Sequence, residues 1–369
     1  MVLGRLRGVY ATVRVMVIFG GRSGEHEVSL ASARAVVETL RESGRYEVLP
    51  LGITREGRWL SSGDPMRELE SRARELAVSY PTSSSKSVAE QPAAPVSEKL
   101  PLGLDAADVV FPVLHGPFGE DGTVQGMLEV AGVPYVGSGV LGSAAAMDKV
   151  TMKKIFAFHS LPQVEWLGLT RREWEGDRGS RIHEIETSLG YPCFVKPSNL
   201  GSSVGINKAS GAGELESALD AAAALDRRII VEAGVDAREI EVSVLGNEEP
   251  EVSVPGEIVV PEHEFYDYEA KYTEGGMQLH APAQIPEGTA EELRRVAHTA
   301  YTSIDAAGMA RVDFFLERGS GRLLLNEINT IPGFTPTSVY PKLWAASGLP
   351  YDRLLDRLIQ LALERHEVS

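Results

Sequence analysis

The sequence is poor in several residue types and patterns, and each absence removes a class of protein. Its single cysteine, Cys193, leaves no intramolecular disulfide and no thiolate metal cluster, which is consistent with a reducing compartment. Acidic residues outnumber basic ones by 52 to 36, and the net charge of −16 gives no basic footprint for duplex DNA or an anionic membrane. No apolar run reaches the roughly 18 residues of a membrane span. We therefore predict a soluble, cytoplasmic protein without nucleic-acid or membrane partners.

Two common nucleotide-binding patterns are also missing. The sequence contains no G-x-x-x-x-G-K-[ST] motif, so a P-loop is not expected. The glycine-rich stretch GGRSGEHEVS (20–29) lacks G-x-G-x-x-G, and its acid Glu25 suits a ligand ammonium better than a phosphate. Any nucleotide site must therefore be built in another way.

The sequence has an ordinary globular composition, with 43% hydrophobic and 24% charged residues, and its length allows two or three domains. Apolar runs at 13–21, 47–54 and 107–116, with helical spacing after the first, predict a doubly wound α/β domain. Residues 1–12 are predicted to form a loose extension. A stretch rich in Ser, Pro and Ala (80–99) is predicted to be a flexible surface insertion.

A Gly/Ser-rich patch, VGSGVLGSAA (136–145), predicts a domain hinge. We accordingly predict an N-terminal domain over 1–137, a central domain over 138–235 and a C-terminal domain over 236–369. The central region alternates strands with an Ala-rich helix, and the last region ends in an amphipathic helix.

The stretch RVDFFLERGSGRLLLNEIN predicts an antiparallel hairpin, because two apolar runs flank a Gly-Ser-Gly turn. If Asp313 faces Glu327, then Arg311 faces Asn329 and all four side chains share one face of the sheet. A register one residue off pairs Asp313 with Asn326 and scatters the set, so the turn is predicted to have an odd number of residues.

Two carboxylates and an amide oxygen on this face form a hard-oxygen set, which is typical of Mg²⁺ held against nucleotide phosphates. The alternative is a charged strand edge in solvent. We favour the metal site because the Leu and Phe neighbours imply burial, and buried acids need a partner.

Four other residues are candidates for ligand contacts. Lys196 ends an apolar strand before the loop NLGSSVG, whose backbone N–H groups could close over phosphates, although a plain turn is the alternative. Lys149 lies near a helix start and is by default a solvated lysine. Glu232 ends a strand, where an exposed carboxylate could accept from an adenine amine or a ribose hydroxyl. His115 follows a buried strand in a glycine-rich loop, although a lone His is more often structural.

Seven motifs together resemble those of the D-alanine-D-alanine ligase family of the ATP-grasp superfamily. They are GGRSGEHEVS, HGPFGEDG, MDK, VKPSNLGSSVG, YDYEAKY, ARVDFF and NEINTIPGFTPTS, in that order from about residue 13 to the C-terminus. The resemblance implies a three-domain α/β (α+β) ATP-grasp fold with an N-terminal Rossmann-like domain. Only the N-terminal extension and the Ser/Pro-rich insertion depart from the pattern.

The resemblance also implies an activity, which is the ATP-dependent joining of two D-alanines through an acyl phosphate to supply a peptidoglycan precursor. It implies two Mg²⁺ ions, with Mn²⁺ able to substitute, and we expect a homodimer. One alternative is another ATP-grasp carboxylate-amine ligase, and a second is a non-catalytic ATP-binding regulator on the same fold. The second is disfavoured, because a sensor has no need of the oxyanion stabiliser that the resemblance places at Arg311.

The family pattern assigns roles to individual positions of this sequence. For metal and nucleotide it implies Mg²⁺ ligation by Asp313, Glu327 and Asn329, phosphate contacts by Lys149, Lys196, Ser203 and Lys271, and adenosine contacts by Glu232, Ala233, Val235 and Glu239. For the amino acids and the reaction it implies roles for Glu25, His115, Ser202, Tyr272, Arg311, Gly333 and Ser338. Arg311 and the Gly333 N–H correspond to the oxyanion stabilisers. We predict that the polar segment 257–279 is mobile.

Overall fold

The structure, a computed structural model, describes residues 12–71, 103–201, 204–259 and 277–368. The predicted insertion and most of the predicted mobile segment lie outside these ranges, as do Ser202, Ser203, Lys271 and Tyr272. Within the described ranges, every helix is too short or too polar to span a membrane.

The N-terminal sheet has four strands in the order β3-β2-β1-β4. Strands β1 (Val13–Gly20), β2 (Tyr46–Ile53) and β4 (Val109–Val113) are parallel, and β3 (Trp59–Leu60) adds an antiparallel edge. The continuous apolar sequence of β1 reflects burial on both faces, as expected for a parallel strand. Helix α1 (His26–Glu42) follows the Gly-rich loop, as predicted.

The second sheet has four antiparallel strands in the order β5-β8-β6-β7. They are β5 (Trp166–Thr170), β6 (Cys193–Pro197), β7 (Asn207–Ala209) and β8 (Arg228–Ala233). The Ala-rich helix Ala212–Leu225 packs its buried face on this sheet, since its small side chains allow close approach.

The third sheet has six strands in the order β12-β11-β9-β13-β14, with β10 paired to β9. Its strands are β9 (Ala237–Gly246), β10 (Glu251–Val252), β11 (Gly256–Val259), β12 (Gln278–His280), β13 (Gly308–Glu317) and β14 (Leu323–Asn329). The apolar face of helix Glu287–Ser303 packs against this sheet, and together they form one hydrophobic core.

Further helices lie between and after these strands. They are Thr123–Ala131, Val140–Met147, Lys149–Phe158, Arg171–Gly176, Arg178–Ser188, Val339–Ala346 and Tyr351–Val368, with a 3₁₀ turn at Leu104–Ala106. Leu354 and Leu358 of the last helix share one core with Val17 and Phe111 of the N-terminal sheet. This packing brings the end of β14 to the N-terminal loops. The division at residues 137 and 235 stays a prediction.

The predicted hairpin is present with the predicted facing pairs at its functional end. Arg311 lies opposite Asn329, and Asp313 lies opposite Glu327. The four side chains therefore belong to one face, as the alternation of the two strands requires.

The predicted odd number of turn residues is wrong. The Glu317 N–H donates to the Arg322 carbonyl at 2.9 Å. This hydrogen bond closes a turn with an even number of residues, 318 to 321. The register then shifts between Asp313 and Phe314, where Asn326 is an extra residue on β14. Such a bulge adds one residue to one strand and so reverses the parity that the turn alone would impose.

Candidate active site

A cavity of about 830 Å³ lies where the three sheets meet. Every predicted site residue that the structure describes contributes to its lining. These residues are Glu25, His115, Lys149, Lys196, Glu232, Ala233, Val235, Glu239, Arg311, Asp313, Glu327, Asn329, Gly333 and Ser338. Segments far apart in sequence therefore converge on one space, while the role of each residue stays a prediction.

Arg311 connects two buried carboxylates on one side of this cavity. Its guanidinium donates to both oxygens of Asp313, with 2.7 Å for each hydrogen bond, and lies 2.9 Å from Glu241 Oε2. The paired donors of a guanidinium match the two oxygens of a carboxylate, which fixes the orientation of both side chains. The sequence analysis missed Glu241, although its position two residues after Glu239 on β9 is a signal for a shared face.

The predicted metal ligands provide oxygen atoms only, which fits Mg²⁺. Asp313 is buried, and the Asn329 side-chain oxygen accepts from the Ile331 N–H at 3.0 Å, which orients the amide. Within the described ranges, no cluster of three or more His, Cys, Asp or Glu side chains has a metal-binding arrangement. The assignment of Asn329 as an amide ligand beside the two carboxylates stays a prediction. The burial of Asp313 argues against the alternative of a solvated strand edge.

The sequence-based expectation of an exposed Glu232 is wrong. The side chain is buried between two lysines, with Lys153 Nζ 2.7 Å from Oε1 and Lys196 Nζ paired with Oε2. Burial by itself raises the pKa of Glu232, but the two ammonium groups outweigh it and lower the pKa to about 2. Burial also opposes charge on Lys196, and attraction to Glu232 and Glu327 raises its pKa nonetheless.

Lys149 is not the solvated helix lysine of the default interpretation. Its ammonium donates to the Leu200 carbonyl at 2.8 Å and lies 3.9 Å from Glu327 Oε2, and its side chain is 12% exposed. The helix start is fixed by Asp148, which caps the Thr151 N–H at 2.8 Å and pairs with Arg228 at 2.7 Å. The capped helix therefore places Lys149 beside the predicted metal face.

His115 lies on the loop after β4 and lines the same cavity. Its Nδ1 lies 2.9 Å from the Ile331 carbonyl, so Nδ1 carries the donated proton, because a carbonyl only accepts. Its Nε2 is buried and has no hydrogen-bond partner among the described residues. Burial lowers the pKa of His115, although the charge of Glu25 opposes this. The ring is therefore neutral near pH 7, with Nε2 as the lone-pair nitrogen.

Glu120 is a buried acid in the same loop that the sequence analysis missed. It accepts from the Gly116 N–H at 2.7 Å. Burial, followed by the charge of Glu25, raises the pKa of Glu120 to about 8, so Glu120 holds a proton near pH 7. The carboxylates of both acids approach Gly201, where an added Cβ would lie 2.9 Å from Glu25 Oε2 and 3.5 Å from Glu120 Oε1. A side chain at residue 201 would therefore displace the Glu25 carboxylate.

The loop after β14 closes the cavity with small and hydroxyl-bearing residues. Ser338 Oγ accepts from the Thr335 N–H at 3.0 Å, and a Cβ added at Gly333 would lie 3.3 Å from that Oγ. The Phe334 N–H donates to Ser32 of helix α1 at 3.1 Å. These contacts fix the loop to the N-terminal domain and leave the Gly333 backbone at the cavity wall.

Comparisons with known proteins agree along nearly the whole chain. Residues 14–138 match the family described as "D-ala D-ala ligase N-terminus", and residues 155–360 match "D-ala D-ala ligase C-terminus". A D-alanine-D-alanine ligase of Heliobacterium modesticaldum is 51% identical over 355 residues, with 95% of each chain covered. One of Bacillus cytotoxicus is 46% identical over 361 residues, covering 96% of this chain and 97% of the relative.

Two solved structures have similar folds. The D-alanine-D-alanine ligase from Coxiella burnetii is 34% identical, with a TM-score of 0.78 and 96% of each chain covered. The VanG D-Ala:D-Ser ligase from Enterococcus faecalis is also 34% identical, with a TM-score of 0.77, covering 95% of this chain and all of that one.

The two antiparallel sheets facing across the cavity, together with these structural relatives, define the fold as ATP-grasp. Matches to both ligase domains and to relatives of up to 51% identity narrow the assignment further. The chain belongs to the D-alanine-D-alanine ligase family.

Proposed function

We propose that this protein uses ATP to join two D-alanines into D-alanyl-D-alanine for peptidoglycan synthesis. The observation that supports it most is the convergence of the Arg311–Asp313 hairpin, the lysines at residues 149 and 196, and the Glu25–His115–Glu120 group on one cavity. A phosphate-binding end and an ammonium-binding end within one cavity suit a reaction between a nucleotide and an amino acid.

In the first step, a D-alanine carboxylate oxygen attacks the γ-phosphorus of ATP, giving an acyl phosphate and ADP. Lys149 and Lys196 bind phosphate oxygens, with Ser203 and Lys271 as further contacts, and Glu232, Ala233, Val235 and Glu239 hold the adenosine. Asp313, Glu327 and Asn329 would hold two divalent ions, Mg²⁺ or Mn²⁺, and these would supply positive charge to offset the charge that develops on the transferred phosphoryl group.

In the second step, the amine of the second D-alanine attacks the acyl carbon, and inorganic phosphate leaves. Arg311 and the Gly333 N–H stabilise the tetrahedral oxyanion, because they are donors fixed in place before the charge develops. Ser338 holds the carboxylate of the second D-alanine.

The first D-alanine lies at the acidic end of the cavity. Because Glu120 holds a proton, Glu25 and Glu120 together carry about one negative charge, which suits one ammonium group. His115 lies near the carboxylate of this first D-alanine. The family pattern assigns hydrogen bonds with Glu25 to Ser202 and Tyr272, which lie outside the described residues.

We also propose a compartment, an oligomeric state and domain boundaries for this protein. We place it in the cytoplasm as a homodimer, divided into domains at residues 137 and 235. The acidic net charge and the single cysteine support the compartment.

Phosphate release tests the proposal directly. With ATP and Mg²⁺, D-alanine is expected to stimulate release far above glycine or L-alanine, with D-alanyl-D-alanine as the product by mass spectrometry. A mixture of D-alanine and D-serine tests the second site, and the homodipeptide is expected to dominate. Equal release with D-alanine, glycine and L-alanine contradicts the proposal.

A further inference from the structure

Lys153 is a buried lysine for which the proposed reaction has no use. It lies on the helix Lys149–Phe158, one turn after Lys149, and its side chain is 1% exposed. Burial lowers the pKa of Lys153, and Glu232 opposes that shift. A lysine is very rarely buried to this degree without a partner, and here the partner is Glu232 Oε1 at 2.7 Å.

Lys153, Glu232 and Lys196 form a chain of three charges in which Glu232 is the shared partner. Glu232 pairs through one oxygen with Lys153 and through the other with Lys196. Lys196 and Glu232 line the cavity, whereas Lys153 does not. Lys153 therefore lies behind Glu232 as seen from the nucleotide end. Two ammonium groups and one carboxylate give this group of three side chains one net positive charge.

The helix holds Lys153 in place independently of any ligand. Residues four apart lie on the same side of a helix, so Lys149 and Lys153 point toward the same region. The Val150 N–H, in the first turn of the helix, donates to Ser198 Oγ at 3.2 Å, and Gln163 Nε2 donates to the Lys153 carbonyl at 3.2 Å. The ammonium is therefore presented to Glu232 by a fixed backbone.

We propose that Lys153 is a positioning residue for the nucleotide. It keeps Glu232 ionised and fixed from behind, so that Glu232 holds Lys196 at the cavity wall with one positive charge in excess. The inference deepens the proposed function, on which it rests for the identity of the nucleotide as ATP. Without Lys153, Glu232 and Lys196 neutralise each other, and the wall loses the charge that attracts phosphate.

The test compares K153M with K154M, because Lys154 is the exposed neighbouring lysine. K153M is expected to raise the KM for ATP and the Kd for ATP with Mg²⁺ by roughly 10-fold or more, which is the usual effect of one charged contact. The KM for D-alanine is expected to change by less than about 2-fold, within the error of independent sites. K154M is expected to behave as the wild type.

A double variant separates positioning from a purely structural ion pair. K153M/E232Q restores one net positive charge to this group, and the glutamine side chain keeps an acceptor oxygen for the adenosine. The double variant is therefore expected to bind ATP more tightly than K153M does. Equal losses for ATP and D-alanine, a K154M effect equal to that of K153M, or no recovery in K153M/E232Q overturns the proposal. If K153M does not fold, K153Q replaces it in the test, because glutamine keeps a polar group without a charge. The same outcomes are expected for K153Q.

Calorimetric titration with ATP and Mg²⁺, without D-alanine, separates this inference from the proposed function. A wild-type protein that binds ATP but releases no phosphate with D-alanine contradicts the function and leaves the test of Lys153 intact. Unchanged ATP affinity in K153M, in an enzyme that forms the dipeptide, contradicts only the role of Lys153.

Discussion

The two ends of the cavity treat buried carboxylates in opposite ways. At the nucleotide end, Lys153 and Lys196 lower the pKa of Glu232 to about 2 against the effect of burial. At the amino-acid end, burial and then the charge of Glu25 raise the pKa of Glu120 to about 8. Burial alone therefore does not determine charge in this protein, because the neighbours of each acid decide it.

The difference fits the two proposed ligands. Lys153, Glu232 and Lys196 together carry one positive charge in excess, which suits polyphosphate, whereas Glu25 and Glu120 together carry about one negative charge, which suits one ammonium group. Arg311, Asp313 and Glu327 lie between the two ends, where the proposed phosphoryl and acyl transfers meet. Variants that change one end should therefore leave the binding constants of the other largely intact.

The largest effect is expected at the junction of the two ends. D313A removes a proposed metal ligand and the partner of Arg311, so kcat should fall by roughly 10³-fold or more. D313A should lose little enough stability to remain folded, which thermal unfolding would measure. E317A, on the same strand but outside the cavity lining, should retain activity. Substantial turnover by D313A contradicts the metal assignment.

A smaller, one-sided effect is expected from E25Q. Loss of a charged partner for an ammonium group costs about 1.5–3 kcal/mol, so the KM for D-alanine should rise by roughly 10- to 150-fold. The KM for ATP should stay within about 3-fold of the wild type. E27Q is the matched control, because Glu27 lies two residues away in an exposed pair with Arg55. Parallel changes in both KM values show that the two ends are not independent.

Much of this site was predictable because its strongest signals are local. The alternation of the hairpin strands fixed which face holds Asp313 and Glu327, and the β-strand ends located Lys196 and His115. The turn parity failed because a bulge at Asn326 leaves no signature in the alternation. Local periodicity reports the face of a side chain, but it does not report irregular pairing.

Burial and long-range pairing account for the other failures. Glu232 was expected in solvent, and Lys153 and Glu120 were not selected at all. Each depends on partners from other segments, such as the pairing of Lys153 in a helix with Glu232 in strand β8. No short stretch of sequence contains both members of that pair. The sequence identified residues with suitable chemistry, whereas the fold determined their protonation.

The third expected effect is on stability and concerns the proton on Glu120. In the unfolded chain this acid ionises near pH 4.5, whereas in the folded protein its pKa is about 8. Between these values the folded state holds a proton that the unfolded state has released, so rising pH lowers the free energy of unfolding. The free energy of unfolding falls by on the order of 1 kcal/mol for each pH unit. The decrease ends at the pH where Glu120 ionises in the folded protein.

E120Q removes this titration and keeps the hydrogen-bonding shape of the protonated acid. Relative to the wild type, E120Q should therefore gain stability from pH 5 to pH 8 in urea unfolding measurements. E38Q removes an exposed acid on helix α1 and should show no such pH-dependent gain. If E120Q and the wild type respond to pH in parallel, Glu120 is ionised throughout. Glu120 and Glu232 would then both be ionised, and they would differ only in the residues that contact them.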